Sequence, residues 1–515
     1  MRALLLHPSL DFELEARLPP LHEALVEDLG LDDVLEAMAG GDRYLHEVAR
    51  TVVLAGLRDP DAIVHRQRIL AECIERPHLP RQLYDLAVRA IDTERAAWRL
   101  HTRNPDLALS SAVRALELLL PLLRELRQIA DAEAGRCTSP GFRRLFEALR
   151  SELDDAYLAD LREHLRLLAF TDGVTVNGRL GARNAGTGLT LRRPGRARWQ
   201  RLLGRRAWRG YTISVSPRDD AGNEALAELR MRGINLVANA VSQAVDHLLS
   251  FFSIIRFEAG FYLGATNLRE RLAALGEPAC FPEPQPRGRA ALTAAGLVDV
   301  GLSLRSGCRS VGNDLDADGR SLVFITGANQ GGKSTLLRAV GTAQVMMQCG
   351  LFVGATSFSA DVRDGVFTHF RRREDATMSS GKLDEELKRL SELVDVVGRG
   401  PLLLLNESFA ATNEREGADI AEGVALAFLE AGAKIVFVTH SYELARRFHS
   451  EQGHRCLFLR AERLPDGRRT FRLPEGEPLP TSYGQDLFKR IFVSGAAEAG
   501  SAFAPPGALD VDGSR

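Results

Sequence analysis

Leu322-Val323-Phe324-Ile325-Thr326-Gly327-Ala328-Asn329-Gln330-Gly331-Gly332-Lys333-Ser334-Thr335 is the stretch on which the fold turns. Its first five residues form a continuous apolar run, the pattern of a strand buried on both faces. The next eight fit G-x-x-x-x-G-K-[ST], a loop that leads from such a strand into a helix. Residues 333–348 read as helix, so the context that gives the motif its meaning is present. Glycines let backbone N–H groups turn inward, and the start of the helix adds partial positive charge toward an anion. Lys333 is placed to reach the β- and γ-phosphates of a nucleotide, and the Ser334 hydroxyl to ligate Mg²⁺. Gly327 through Thr335 are therefore the expected cradle for ATP and its magnesium.

Downstream, Leu402-Leu403-Leu404-Leu405-Asn406-Glu407 is a second buried run that ends in polar residues. Glu407 is the candidate base that orients and deprotonates an attacking water, and a candidate metal-side group with Ser334. Asn406 stands where an aspartate normally supports the magnesium shell. An amide still accepts a hydrogen bond but brings no charge, which predicts weaker metal affinity. Ile435 to Val438 is a third apolar run, followed by Thr439-His440-Ser441. Open α/β sheets bind ligands at strand C-termini, so His440 is expected at the same edge, touching the γ-phosphate or the water; a structural strand-end histidine is the plainer alternative. Helical segments at 333–348, 383–397 and 414–431 separate the runs, the alternation of an α/β domain with a mainly parallel sheet.

Upstream the composition differs. Residues 20–170 are rich in Leu, Ala, Arg and Glu with apolar residues at helical spacing, as in Ala112 to Leu120 and Leu153 to Leu168. Between 170 and 220, glycines arrive with short β-type runs, Val174-Thr175-Val176 and Tyr211-Thr212-Ile213-Ser214-Val215. Helical text returns over 222–277 and breaks at Pro278 and the Pro/Gly-rich stretch Pro282 to Gly288. The expected organisation is a helical segment 1–170, a β-rich insertion 171–220, a helical segment 221–285, an α/β domain 286–495 and a disordered tail 496–515.

The 515 residues, 45% hydrophobic and 26% charged, suit a soluble multidomain protein. Formal net charge is only −2, so attraction to nucleic acid must come from local clustering. The six cysteines (Cys73, Cys137, Cys280, Cys308, Cys349, Cys456) form no CxxC pair, which fits a reducing cytoplasm. Ala3 to Leu6 is too short for a signal-peptide core, and no uninterrupted apolar run reaches spanning length, so a cytosolic location without a membrane is expected.

Charge does cluster in the insertion. From Arg183 to Arg218 no acidic residue occurs, while Arg192, Arg193, Arg196, Arg198, Arg201, Arg205 and Arg206 lie there with Trp199, Trp208 and Tyr211. Arginines contact phosphates and aromatics stack on unpaired bases, so this is the candidate DNA footprint; a solvated hairpin pairing with acidic helices is the competing reading. The Arg371-Arg372-Arg373 run reads as a solvated turn.

Taken together these motifs resemble the ATPase domain of the MutS family. Ile325 to Thr335 resembles that family's TGPNxGGKST loop, and Val311-Gly312-Asn313-Asp314-Leu315 the PND stretch before it. Thr412-Asn413 with Gly417 resembles the segment after the acidic strand, Thr439-His440-Ser441-Tyr442-Glu443-Leu444 the THYxEL, and Ser482-Tyr483-Gly484 the SYG. Upstream, Asp59 to Arg68 resembles the start of the family's helical core, and the β-rich stretch its clamp on lever helices. The resemblance implies a multidomain fold: an α-helical core and lever with a small β-rich clamp-like insertion, then an α/β P-loop NTPase (ABC-like) domain. It implies a DNA-binding ATPase that works as a dimer, each loop completed by the partner's signature segment, here Ser379-Ser380-Gly381. The sequence departs from the family's pattern at that signature, at Asn406, and in having no room for a mismatch-reading domain before the helical core or a nuclease domain after residue 495. A short MutS-related ATPase is the expectation, with a nucleotide-gated binding module of little hydrolysis, or an ABC-type ATPase subunit, as the alternative.

Overall fold

The protein, described as a computed structural model, is defined over residues 1–12, 18–96, 104–170, 174–180, 186–192, 214–372, 381–410, 412–464 and 468–479. It combines helical and α/β elements with several sheets, divided into two compact units: Met1–Ala16 with Arg68–Thr266, and Arg17–Gln67 with Asn267–Arg515.

The first unit is helical because its apolar residues recur at helical spacing. Leu109, Ala112, Val113 and Leu116 lie on one face of the helix Pro105–Glu133 and pack with Leu165, Ile234, Ala238 and Val245. That helix starts where the Asn104 side chain accepts the Asp106 N–H, with Pro105 at the position that needs no donor. Asp154 caps Asp155–Leu168 in the same way, accepting the Tyr157 N–H. Strands β1 (Val176–Leu180) and β2 (Gly186–Leu191) form an antiparallel hairpin. Of the two β-type runs expected there, Val174–Val176 leads into β1; residues 211–213 of the other lie outside the described residues, and Ser214 and Val215 are not in a strand. The hairpin's foot rests on the long helix Asp220–Ala274, where a Cβ added at Gly233 would come within 2.9 Å of Val176. That helix is long and apolar enough to cross a membrane, but its apolar stretch is mostly buried, as in a core helix. The short apolar stretch near the N-terminus is core: Leu5 and Leu6 are fully buried, and the Tyr262 hydroxyl donates to the Leu5 carbonyl at 2.6 Å.

Among the described residues the second unit holds two sheets. Residues 17–67, helical text that composition grouped with the first segment, cluster here. Five parallel strands form the larger sheet in the order β11 (Cys456–Arg460), β6 (Leu322–Thr326), β10 (Lys434–Val438), β9 (Leu402–Asn406), β8 (Val366–Phe370). A smaller mixed sheet has the order β3 (Glu283–Gln285), β7 (Ser357–Asp361), β4 (Leu292–Leu297), β5 (Asn313–Asp316). Phe324 on β6 stacks between Phe437 on β10 and Phe458 on β11 at 5.8 and 5.4 Å, which ties these three adjacent strands together. Register then does the positioning. Val438 on β10 sits beside Ile325 on β6 and Asn406 on β9, so the residues that follow these strands emerge side by side at one edge.

Candidate nucleotide site

After β6 the chain enters the loop Gly327–Gly332 and then the helix Lys333–Gln348. Gly327 and Gly332 take φ of 108° and 94°, and Gln330, a side-chain-bearing residue, takes 57°. At Gly331 the need for glycine is steric: a Cβ would lie 2.6 Å from the Ala461 methyl and 3.0 Å from the Ala328 carbonyl oxygen. The loop folds over Lys333, which is only 4% exposed and donates to the carbonyls of Gly327 and Ala328 at 3.0 and 3.1 Å. Burial lowers its pKa to about 8, with the Glu407 carboxylate pulling it up and Arg469 pushing it further down. A desolvated ammonium solvated by carbonyls alone is a group arranged for an anion.

The other strand ends close around it. The Ser334 hydroxyl donates to the Asn406 side-chain oxygen at 3.0 Å, joining the first turn of the helix to the end of β9. The Glu407 N–H donates to the Val438 carbonyl at 2.9 Å, which locks the turn after β9 to β10. From that turn Glu407 accepts the His440 Nε2–H at 2.9 Å, and the Arg371 guanidinium stands 3.9 Å away. The His440 hydrogen bond, more than any charge, holds the Glu407 carboxyl below its ordinary pKa, against the opposing effect of burial. A carboxylate so held stays ionised through neutral pH and accepts hydrogen bonds. Among the described residues no cluster of three or more His, Cys, Asp or Glu side chains is built to hold a metal by itself. The oxygens of Ser334 and Asn406 suit a hard cation that takes its remaining ligands from phosphate and water.

Residues 58–275 match the family model described as the MutS2 N-terminal domain, and residues 323–489 match that described as MutS domain V. The chain belongs to the MutS family. Among similar proteins are those named DNA mismatch repair protein MutS from Thermotoga petrophila (33% identical over 135 residues, 26% of this chain and 17% of that one), Syntrophomonas wolfei subsp. wolfei (30% over 168 residues, 32% and 19%) and Thermus aquaticus (33% over 134 residues, 26% and 16%). The matched part spans less than a fifth of the length of these relatives.

In this MutS-family chain, Gly327 to Thr335, Asn406, Glu407 and His440 come together at one sheet edge. Gly381 caps the helix Lys382–Val396 by its backbone, while Ser379 and Ser380 lie outside the described residues. Arg192 is exposed at the end of β2, its N–H bonded to the Thr175 carbonyl; Arg193, Arg196, Arg198, Arg201, Arg205 and Arg206 lie outside the described residues, as do Ser482 to Gly484. The segment 468–473 was not anticipated at the site. Asn313 pins it, donating to the Phe471 carbonyl at 3.1 Å and accepting the Leu473 N–H at 2.8 Å. Arg469 then donates to the Gln330 side chain at 2.7 Å, and the Phe471 carbonyl lies 3.4 Å from where a Gly332 Cβ would be. Phe471 itself is 46% exposed with φ of 59°, an apolar ring held in solvent beside the loop. Its signal in sequence is a lone aromatic in polar text, too weak to read without the Asn313 anchor.

Proposed function

We propose that this chain is a DNA-binding ATPase of DNA repair or recombination, in which ATP bound and hydrolysed at the Gly327–Ser334 loop drives a DNA-contacting clamp. The observation that carries it is the convergence of a buried, partly uncompensated lysine, a hydroxyl–amide pair and a histidine-held carboxylate at the ends of three adjacent parallel strands. The family's relatives carry DNA mismatch repair in their names, and the clamp, the dimer and the cytoplasmic setting follow by that analogy.

In this reading the loop amides and the Lys333 ammonium bind the β- and γ-phosphates. Ser334 and Asn406 would hold magnesium, which would supply neutralisation of phosphate charge. Glu407 takes a proton from the attacking water as its oxygen bonds to the γ-phosphorus and ADP leaves. His440 holds the carboxylate in the acceptor orientation, and Phe471 offers its ring to the base. Ser379, Ser380 and Gly381 complete the partner's site in a homodimer, and Arg192, Arg193, Arg196, Arg198, Arg201, Arg205 and Arg206 contact DNA phosphates. A nucleotide-gated clamp with little hydrolysis is the second reading, favoured by the uncharged Asn406.

Turnover measured on wild type, Lys333→Ala and Glu407→Gln decides between them. Loss of at least about 10²-fold in both variants supports the ATPase. Wild-type rates in Glu407→Gln sink the assignment of the base, and nucleotide binding without hydrolysis in the wild type leaves the gated clamp. DNA binding is tested with duplex, mismatched, single-stranded and branched probes across salt. Affinity that is indifferent to both salt and neutralisation of the 192–206 arginines removes that footprint.

A further inference from the structure

The chain turns sharply after β9. Glu407 and Phe409 take φ of 54° and 64°, left-handed values that residues with side chains hold only where their surroundings over-determine them. Those surroundings are buried and lie behind the nucleotide loop's partners. The Ser408 hydroxyl lies 2.8 Å from the His369 carbonyl and 2.8 Å from His369 Nδ1. His369 Nε2 lies 3.1 Å from the Glu386 carbonyl, and Glu386 Oε2 accepts the Phe409 N–H at 3.1 Å. The His369 ring stacks on Phe409 with centroids 5.7 Å apart. His369, Ser408, Phe409 and Glu386 are 2%, 7%, 3% and 5% exposed. From the opposite side Gly417 presses so close that a Cβ there would be 2.5 Å from the Phe409 carbonyl oxygen.

Burial pushes the His369 pKa down to about 4, so the ring is neutral near pH 7. A carbonyl can only accept, so Nε2 of the neutral ring donates to the Glu386 main-chain carbonyl, and the one Ser408 hydroxyl proton is shared between the His369 carbonyl and Nδ1. The Glu386 side chain therefore ties the turn directly through its carboxylate, while its main-chain carbonyl, which every substitution keeps, anchors His369 and through it Ser408. It does so from the helix Lys382–Val396, whose first position follows Gly381.

We propose that Glu386 is a positioning residue for Glu407, acting with His369 and Ser408. It fixes the left-handed backbone from which the Glu407 carboxylate meets His440, and it sets the helix Lys382–Val396 in register with that carboxylate. The inference rests on reading Glu407 as the base.

The test compares Glu386→Ala and Glu386→Gln in the full chain, with Glu407→Gln and the double variant E386A/E407Q. Single-turnover ATP hydrolysis is expected to fall about 10²-fold in E386A, the scale of a misplaced reacting group, with ATP affinity within about twofold of wild type. E386Q, whose amide oxygen still accepts the Phe409 N–H, is expected to keep most of the rate. Adding E386A to E407Q should cost nothing more, because both act through one carboxylate. Amide hydrogen exchange gives a readout independent of turnover: the peptide spanning 407–410 should exchange faster in E386A, and that spanning 333–348 should not change. Unchanged exchange at 407–410, wild-type hydrolysis in E386A, or equal losses in affinity and rate would each overturn the positioning role. If wild type and E407Q hydrolyse alike, the base assignment fails, and exchange at 407–410 still decides whether Glu386 holds the turn. Should E386A not fold, Ser408→Ala, which removes one hydroxyl, is expected to show the same pattern; wild-type behaviour in it refutes the proposal.

Discussion

Lys333 makes nucleotide affinity depend on pH in a way that can be worked out in advance. The residue is 4% exposed and its ammonium has lost proton affinity to burial, so its pKa stands at about 8 against an ordinary 10.5. At pH 7.5 about three quarters of the protein carries the charge, and at pH 9 about a tenth does. Phosphate oxygens stabilise the ammonium, so its pKa rises in the complex, and binding from the neutral amine must take up a proton. The apparent Kd for ATP then grows as 1 + 10^(pH − pKa), about eightfold between pH 7.5 and 9, or about 1.2 kcal/mol. The nucleotide's own phosphate ionises near pH 6, below this window. The sign follows from the protons: the complex holds more of them than the free protein, so affinity falls as pH rises through about 8. Titration with a fluorescent ATP analogue reads the affinity, and calorimetry in buffers of different ionisation enthalpy reads the proton uptake, expected to be about 0.9 proton at pH 9. Lys333→Arg should flatten the dependence, because a guanidinium does not titrate there. A wild-type Kd that is flat from pH 7.5 to 9, with no proton uptake, refutes the assignment of Lys333 as the phosphate-facing charge.

Gly331→Ala should weaken ATP binding at least about tenfold, since its Cβ would sit 2.6 Å from the Ala461 methyl, and G331A/A461G should recover part of that loss in the same titration. Lys434, 2% exposed with Nζ donating to the carbonyls of Ala290 and Ala317 at 2.6 and 2.7 Å, has a pKa lowered to about 7, mainly by burial. The unfolded chain therefore binds the extra proton between pH 7 and 10, and stability rises with pH by up to about 1.4 kcal/mol per unit relative to Lys434→Met. Urea unfolding of both proteins at pH 7 and 9 measures this, and parallel pH profiles refute it.

What could be read from the sequence was local or periodic. The apolar runs of β6, β9 and β10 announced buried parallel strands, and parallel pairing alone brings their C-terminal ends to one edge. That rule sets Glu407 and His440 at one sheet edge with the loop, and in the structure they lie 2.9 Å apart. The helices expected at 333–348 and 414–431 are observed at Lys333–Gln348 and Glu414–Glu430, the latter capped by the Asn413 side chain, which accepts the Glu416 N–H. Residues 17–67 were not placed with the second unit, because helical periodicity gives a buried face but not the element that covers it.

The supports of the site were illegible because each is a single contact between residues far apart in sequence. Asn313 reaches Phe471 and Leu473 across some 160 positions, and nothing in the text at 468–473 signals a binding role. Glu386 looks like one more acid on an amphipathic, highly charged helix, where a solvated face is the ordinary reading. Its partner, the Phe409 N–H, is invisible in sequence, since every residue but proline has one. Yet Glu386 is 5% exposed while Glu385, its neighbour in sequence, is only partly buried, so the fold has selected one acid of the pair and turned it inward. A buried carboxylate is costly unless it accepts hydrogen bonds, and here burial raises its pKa while the Phe409 N–H lowers it. The fold keeps that cost at the residue that braces the Glu407 turn, so the brace is best sought in the rate of hydrolysis rather than in the affinity for ATP.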